Sequence, residues 1–170
     1  MSVVPQKSPG WRGSARQTAA ENQPTGVTVA ATDADLPAQS VSFTKTGGAD
    51  AAKFTLTGAV LTFATAPDRE VPTDADLNNT YVVEITANDG NGGTTVQTIP
   101  ETVHGLNDNN PVITTSATQS AAANQKTVAT VAATADDLQA QAVSSTQTGG
   151  ADAPQCSHTG AVQTHAPAPG

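Results

Sequence analysis

Residues 81–93 read Tyr-Val-Val-Glu-Ile-Thr-Ala-Asn-Asp-Gly-Asn-Gly-Gly, and this stretch decides the fold. Tyr81, Val83, Ile85 and Ala87 alternate with Val82, Glu84 and Thr86. A period of two places successive side chains on opposite faces of a strand. Asp89–Gly93 then supplies the residue types that tight hairpins require, so Thr94–Val103 is predicted to return beside it. Working outward, the same reading predicts strands at Val27–Thr32, Val41–Thr44, Phe54–Leu56 and Val60–Ala64, with turns at Gly47-Gly48 and Gly58-Ala59, and a first strand near Arg16–Ala20. About seven short strands in roughly 100 residues predict an all-β Greek-key sandwich. Tyr81, Val83 and Ile85 should point inward beside Phe43, Phe54 and Phe63. Pro100, which cannot donate to a ladder, and Glu101, on an inward position, are expected to interrupt the last strand.

The chain also repeats itself. Shifted by 102 residues, Asn22-Gln23 falls on Asn124-Gln125, Thr28–Thr32 on Thr130–Thr134, Gly47–Ala51 on Gly149–Ala153 and Gly58–Val60 on Gly160–Val162. From Pro9 to Pro67, 35 of 59 positions are identical without a gap. A period near 100 residues is that of a whole domain, not of a solenoid. The predicted organisation is an irregular segment over 1–13, one repeat over 14–111, and a truncated, degraded second copy over 112–170. In that copy Phe43, Phe54, Leu61 and Phe63 become Ser145, Cys156, Gln163 and His165. Those changes remove most of one half of a core, so the second copy is not expected to close a sandwich.

Seven basic residues against fifteen acidic ones give a net charge of −8. That balance argues against nucleic acid or an anionic membrane as partner. The single cysteine, Cys156, excludes an internal disulfide, which leaves a metal as the available staple. No apolar run reaches the length of a membrane span. Met1–Ala20 has basic residues but no apolar stretch of the signal-peptide kind. Either an export signal lies C-terminal to this sequence, or the sequence is a fragment excised from a longer protein.

The acids cluster in loops. Glu21 follows the first strand, Asp33 and Asp35 the second; Asp68 and Glu70 follow Pro67, and Asp89 heads the last hairpin. Residues 105–111, Gly-Leu-Asn-Asp-Asn-Asn-Pro, add Asp108 and three amides on a short link. Carboxylate, amide and backbone oxygens on such links suit a hard cation such as calcium. A divalent ion would also relieve their mutual repulsion. The plainer reading is a set of solvated turn residues. Asp74, Asp76 and Asn78 offer a local Asp-x-Asp-x-Asn pattern, but without the glycine and distal glutamate of a helix–loop–helix calcium loop an ordinary polar loop is favoured. His104, His158 and His165 have no metal-ligand spacing with Cys156.

In order and spacing, five of these motifs resemble the cadherin repeat, in particular that of large bacterial surface adhesins: Ala20-Glu21-Asn22, Asp33-Ala34-Asp35, Pro67-Asp68-Arg69-Glu70, Ala87–Gly93 and Leu106–Pro111. The resemblance implies calcium between consecutive repeats. Carried over residue by residue, one set is Glu21, Asp68 and Glu70 with Asn107, Asp108 and Asn109 from the link, joined by Asp137 of the second copy. The other is Asp33, Asp35 and Asp89, which would face a preceding repeat across Gln6-Lys7-Ser8. Gly105 stands where the family carries the first aspartate of its link motif. The implied function is a calcium-rigidified adhesion module at a cell surface or in a secreted protein. Its partners would be neighbouring repeats of the same parent chain, with another surface protein or a polysaccharide beyond them. A passive spacer and a carbohydrate-binding sandwich stay open as alternatives. The latter is disfavoured because Tyr81 belongs to a core stripe and Trp11, the only tryptophan, lies near the terminus. Catalytic motifs of the common hydrolase and nucleotide-binding kinds are missing from the sequence, so no enzymatic activity is expected.

Overall fold

A computed structural model describes residues 6–13, 16–35, 37, 39–125, 127–135, 137, 143–151, 156–159 and 162–165. The expectations for the side chains of Cys156, His158 and His165 lie outside the described residues. The chain divides into two compact units, Met1–Leu106 and Asn107–Gly170. Among the described residues no helix is long and apolar enough to cross a membrane.

The first unit is a two-sheet sandwich. Its strands are β1 (Gly10–Arg12), β2 (Gln17–Ala20), β3 (Gly26–Thr28), β4 (Ala30–Thr32), β5 (Ser42–Gly47), β6 (Phe54–Thr57), β7 (Val60–Phe63), β8 (Thr80–Asn88) and β9 (Thr94–His104). One sheet has the order β2-β9-β8-β5 and the other β3-β7-β6, while β1 pairs with β4. All pairings are antiparallel except β2 with β9, which is parallel. Strands β3 and β4 are one run broken at Val29, whose N–H goes instead to the Ala59 carbonyl at 2.8 Å. The N-terminal chain therefore serves both layers, β1 on the β3–β4 run and β2 on β9.

Two expectations are corrected. Gly10–Arg12, inside the segment read as irregular, is a strand, because Trp11 packs on Phe43 with ring centres 5.7 Å apart. No alternation over three residues signals this; a long-range aromatic contact creates it. The last strand is not interrupted either: β9 runs unbroken for 11 residues through Pro100 and Glu101. Pro100 opposes Val82, one residue before β2 joins β9 at Glu101. There the far edge of β9 has no β2 partner, and a missing N–H costs least.

The β8 alternation holds at every position: Tyr81, Val83, Ile85 and Ala87 are buried and Val82, Glu84 and Thr86 only partly so. The core is Ala19, Val29, Phe54, Leu61, Phe63, Tyr81, Val83, Ile85, Ile99 and Val103, with Phe43 and Trp11 packed against it. Phe54 and Phe63 stack at 4.7 Å, and Tyr81 meets both edge-on, at 6.4 and 5.2 Å. This triad joins the two sheets, and each such pair adds about 0.5–1.5 kcal/mol beyond the area it buries. Gly48, at φ +101°, passes directly over the β8 backbone at Val82 and Val83, where a Cβ has no room.

In the second unit the strands are β10 (Val112–Ile113), β11 (Thr127–Thr130), β12 (Ala133–Thr134), β13 (Cys156–Thr159) and β14 (Val162–His165). Pairings β10-β12 and β11-β14-β13 reproduce β1-β4 and β3-β7-β6 at the 102-residue shift. Even the left-handed backbone recurs, at φ 61° for Asn22 and 64° for Asn124. Among the described residues no strand corresponds to β2 or β5. Their partners in the first unit are β9 and β8. Residues 116–125 are exposed throughout, and no described hydrophobic residue of this unit is buried.

Candidate metal centre

Glu21 directly follows β2, and its own N–H continues the ladder to the His104 carbonyl at 3.0 Å. This holds its side chain at the end of the sheet, fully buried. One carboxylate oxygen accepts the Arg69 N–H at 2.7 Å, and the other accepts the Leu106 N–H. Burial pushes the Glu21 pKa up, but the two backbone donors, the Glu70 side chain and the Arg69 charge outweigh it, and the net shift is downward. Asp68 is exposed and caps its own loop, accepting the N–H groups of Glu70 at 3.0 Å and Val71 at 3.1 Å. Glu21, Asp68 and Glu70 each bring an oxygen within 4.8 Å of the other two. Among the described residues no other three His, Cys, Asp or Glu side chains converge in this way. Hard carboxylate oxygens at that spacing match what calcium takes as ligands.

Arg69, whose role the sequence did not single out, is central here. Its backbone N–H holds Glu21, its guanidinium donates to the Val103 carbonyl, and its carbonyl accepts the Asn79 amide at 2.9 Å. It also occupies the space beside Gly105: a Cβ there would lie 2.8 Å from Arg69 Cδ and 3.6 Å from a Glu21 oxygen.

The hairpin end of the same unit carries the other acids. Asp33 accepts the Asp35 N–H at 2.6 Å, and its second oxygen is buried without a partner among the described residues. Asp89, buried, accepts the N–H groups of Asn91 at 2.8 Å and Gly93 at 2.9 Å, and its second oxygen is likewise unpartnered among the described residues. Asp35 accepts the Lys7 N–H at 2.8 Å, and the Lys7 carbonyl lies against Gly93, which has no space for a side chain. Asp33, Asp35 and Asp89 do not form a mutual cluster like that of Glu21.

Asp108, expected alongside Glu21, belongs with Asn107 and Asn109 to the second unit. There Asp137 accepts the N–H groups of both Asp108 and Asn109 at 3.1 Å, and the Asn109 amide at 3.3 Å. Burial raises the Asp137 pKa, these donors lower it, and the donors prevail. The Asp74–Asn78 loop is held by backbone donors to its own acids. Asp74 is buried and accepts the N–H groups of Asn78 and Asn79 at 2.8 and 3.3 Å, and Asp76 accepts the Asn78 amide at 2.6 Å. Asp50 escaped notice because Gly47–Ala51 reads as a turn. It is buried and binds the N–H groups of Ala75 and Val82 at 2.7 and 2.8 Å, pinning this loop to β8.

No protein-family model and no curated protein matches the sequence. Solved structures do. Protocadherin gamma B7 extracellular domains 3–6, a cis-dimer, superposes with TM-score 0.63 at 18% identity over 95% of this chain and 40% of that one. The protocadherin gamma B4 extracellular domain gives 0.62 at 19% over 96% and 30%. Mouse cadherin-23 domains 22–24 give 0.60 at 18% over 93% and 53%. The chain thus spans between three tenths and about half of these multi-domain neighbours. At such identities the likeness speaks for fold, and it coincides with the strand order and the motif order found independently: the chain carries a β-sandwich domain of the cadherin-repeat fold.

Proposed function

We propose that the first unit is a calcium-binding module of a cadherin-like array, exposed at a cell surface or secreted, of the kind found in large bacterial adhesins. The convergence of Glu21, Asp68 and Glu70 carries this reading. Each comes from a loop that other contacts already hold, so the ligand set is preformed. An ion there would neutralise charge that otherwise strains the pole. Asn107, Asp108 and Asn109 follow Leu106 directly and are the proposed further donors, with Asp137 gathering Asp108 and Asn109 in the second unit. Asp33, Asp35 and Asp89 are the proposed donors toward a preceding repeat, supported by their two unpartnered buried oxygens. Neighbouring repeats of the same parent chain are the first partners, with another surface protein or a polysaccharide as the distal ligand.

A metal-free spacer is the second reading. It is favoured by the fact that Glu21 and Asp68 each already accept two backbone N–H groups, so the pole is knit without an ion. A carbohydrate-binding role loses ground, since Tyr81 is in the core and Trp11 is packed on Phe43. Calorimetric titration with calcium, run beside thermal melting, decides between the first two. Saturable heat and a raised melting temperature support the metal module, and silence in both leaves the spacer.

A further inference from the structure

Glu101 sits in β9 between Ile99 and Val103, both buried, and is itself 2% exposed. Neither of its carboxylate oxygens has a hydrogen-bond partner among the described residues. It is paired across the sheet with Tyr81 of β8 and with Gln17, the first residue of β2. The Tyr81 hydroxyl is engaged elsewhere, accepting the Thr73 N–H at 3.2 Å.

Among the described residues, no neighbouring element offers a counter-charge. Strands β2, β3, β6 and β7 contain no charged residue. On β8 the acid is Glu84, opposite Thr98, and on β9 His104 is exposed. Arg12 of β1 bonds Thr32, Lys45 of β5 bonds the Ala51 and Phe54 carbonyls, and Arg69 bonds Val103. Arg16, ahead of β2, is exposed, and Glu21 beyond it is an acid. A charged carboxylate in such a place is costly, whereas a protonated one is tolerable.

We propose that Glu101 is a pH-sensitive latch on β2: protonated, it lets β2 lie against β9, and ionised, it drives β2 off so that water reaches the carboxylate. Strand β2 is the element that yields. It is an edge strand of four residues whose only sheet neighbour among the described residues is β9, and its first pair is the one with Glu101. On the other side β8 and β9 are joined over nine residue pairs. A hollow of about 50 Å³, lined in part by Trp11, Gln17, Val29 and Ile99, borders Gln17 of that first pair. Release of β2 also loosens Glu21, whose N–H continues the same ladder. The loss of cation binding that follows rests on the proposed metal role of Glu21, whereas the release itself does not.

Burial holds the Glu101 carboxyl up at about 7, against 4.5 for an unperturbed glutamate. Because the closed state holds the proton more tightly, closure is favoured at low pH and lost as pH rises toward 7. The test is amide hydrogen exchange of the whole chain in chelator, corrected for intrinsic pH dependence. Protection at Thr18, Ala19 and Ala20 should fall roughly 40-fold between pH 5 and pH 7, while Val83 and Ile85 hold theirs. Glu101→Gln should leave β2 protection level across that range, and Glu101→Leu should give the same flat profile if the amide is poorly accommodated. An unmutated chain with flat β2 protection, or variants as pH-dependent as the parent, would overturn the latch. Calcium affinity at pH 7.5 separates the two ideas. A tighter site in Glu101→Gln supports the coupling to Glu21. Equal affinity, beside pH-gated β2 exchange, removes that coupling and leaves the latch.

Discussion

Glu21 and Glu101 are both buried glutamates at the β2–β9 seam, and their surroundings push them in opposite directions. Two backbone donors and the Arg69 charge outweigh desolvation at Glu21 and lower its pKa, while Glu101 has desolvation alone. The signs follow from linkage. Glu21, depressed, contributes stability that is present above its unperturbed value of 4.5 and lost as pH falls below it. Glu101, raised to about 7, contributes stability that is full below 4.5 and lost as pH rises through 7. Denaturant unfolding should therefore show a maximum near pH 5–6. Glu101→Leu should lift the alkaline limb by about 3 kcal/mol at pH 8 and leave pH 4.5 little changed. A uniform gain at all pH values would mean that packing, not ionisation, limits the site. The inward position of Glu101 was legible from β9 alternation. Its lack of a partner was not, and neither were the contacts of Asp50 nor those of Arg69 with Glu21 and Val103, because those partners lie 25 to 48 residues away. Glu21, Asp68 and Glu70 were legible because loop acids in a fixed motif order need no knowledge of packing.

At the scale of elements, strand identity tracked alternation wherever one face is buried, as along β8 and β9. It failed at β1, whose three residues owe their place to Trp11 on Phe43. The second unit shows the converse. Its β2 and β5 counterparts retain much of the sequence, including Gln119, Ala121, Ser144 and Thr146, yet no strand is described there. A strand is made by its neighbour, and among the described residues no strand lies beside either segment. Amides of residues 144–149 should accordingly exchange much faster than those of Ser42–Gly47, by two orders of magnitude or more if the latter open only with the sandwich; equal protection would contradict this. The aromatic triad makes a second test. Phe63→His in the first unit, the change the second copy carries at 165, places a polar ring at Phe54 and Tyr81. It should cost about 3–4 kcal/mol in denaturant unfolding, within the range for losing a buried phenylalanine. A loss under 1 kcal/mol would show that the triad does not hold the sheets together.

For the whole molecule, charge is what the proposed calcium role rests on. Fifteen acids against seven basic residues leave a net −8, and three of those acids meet within 4.8 Å at the end of one sandwich. Like charges about 4 Å apart cost roughly 4 kcal/mol at an effective dielectric near 20, offset here by Arg69 and the backbone donors. A chain that keeps such a pole gains most when a cation occupies it. Calcium at 100 times its dissociation constant should add about 2.7 kcal/mol per site, or on the order of 10 °C in melting temperature for a domain of this size. Asp68→Ala should remove most of that rise and lower the calcium-free melting point only modestly, because Asp68 is exposed and holds just its own loop. Asp74→Ala should do the reverse. It strips a buried acceptor from Asn78 and Asn79 and lowers melting with or without calcium, yet preserves the calcium increment. If both variants lose the increment alike, the ion acts through general stability rather than through the Glu21 pole. If neither loses it, calcium binds elsewhere, and the cluster is a self-contained knot of loop ends.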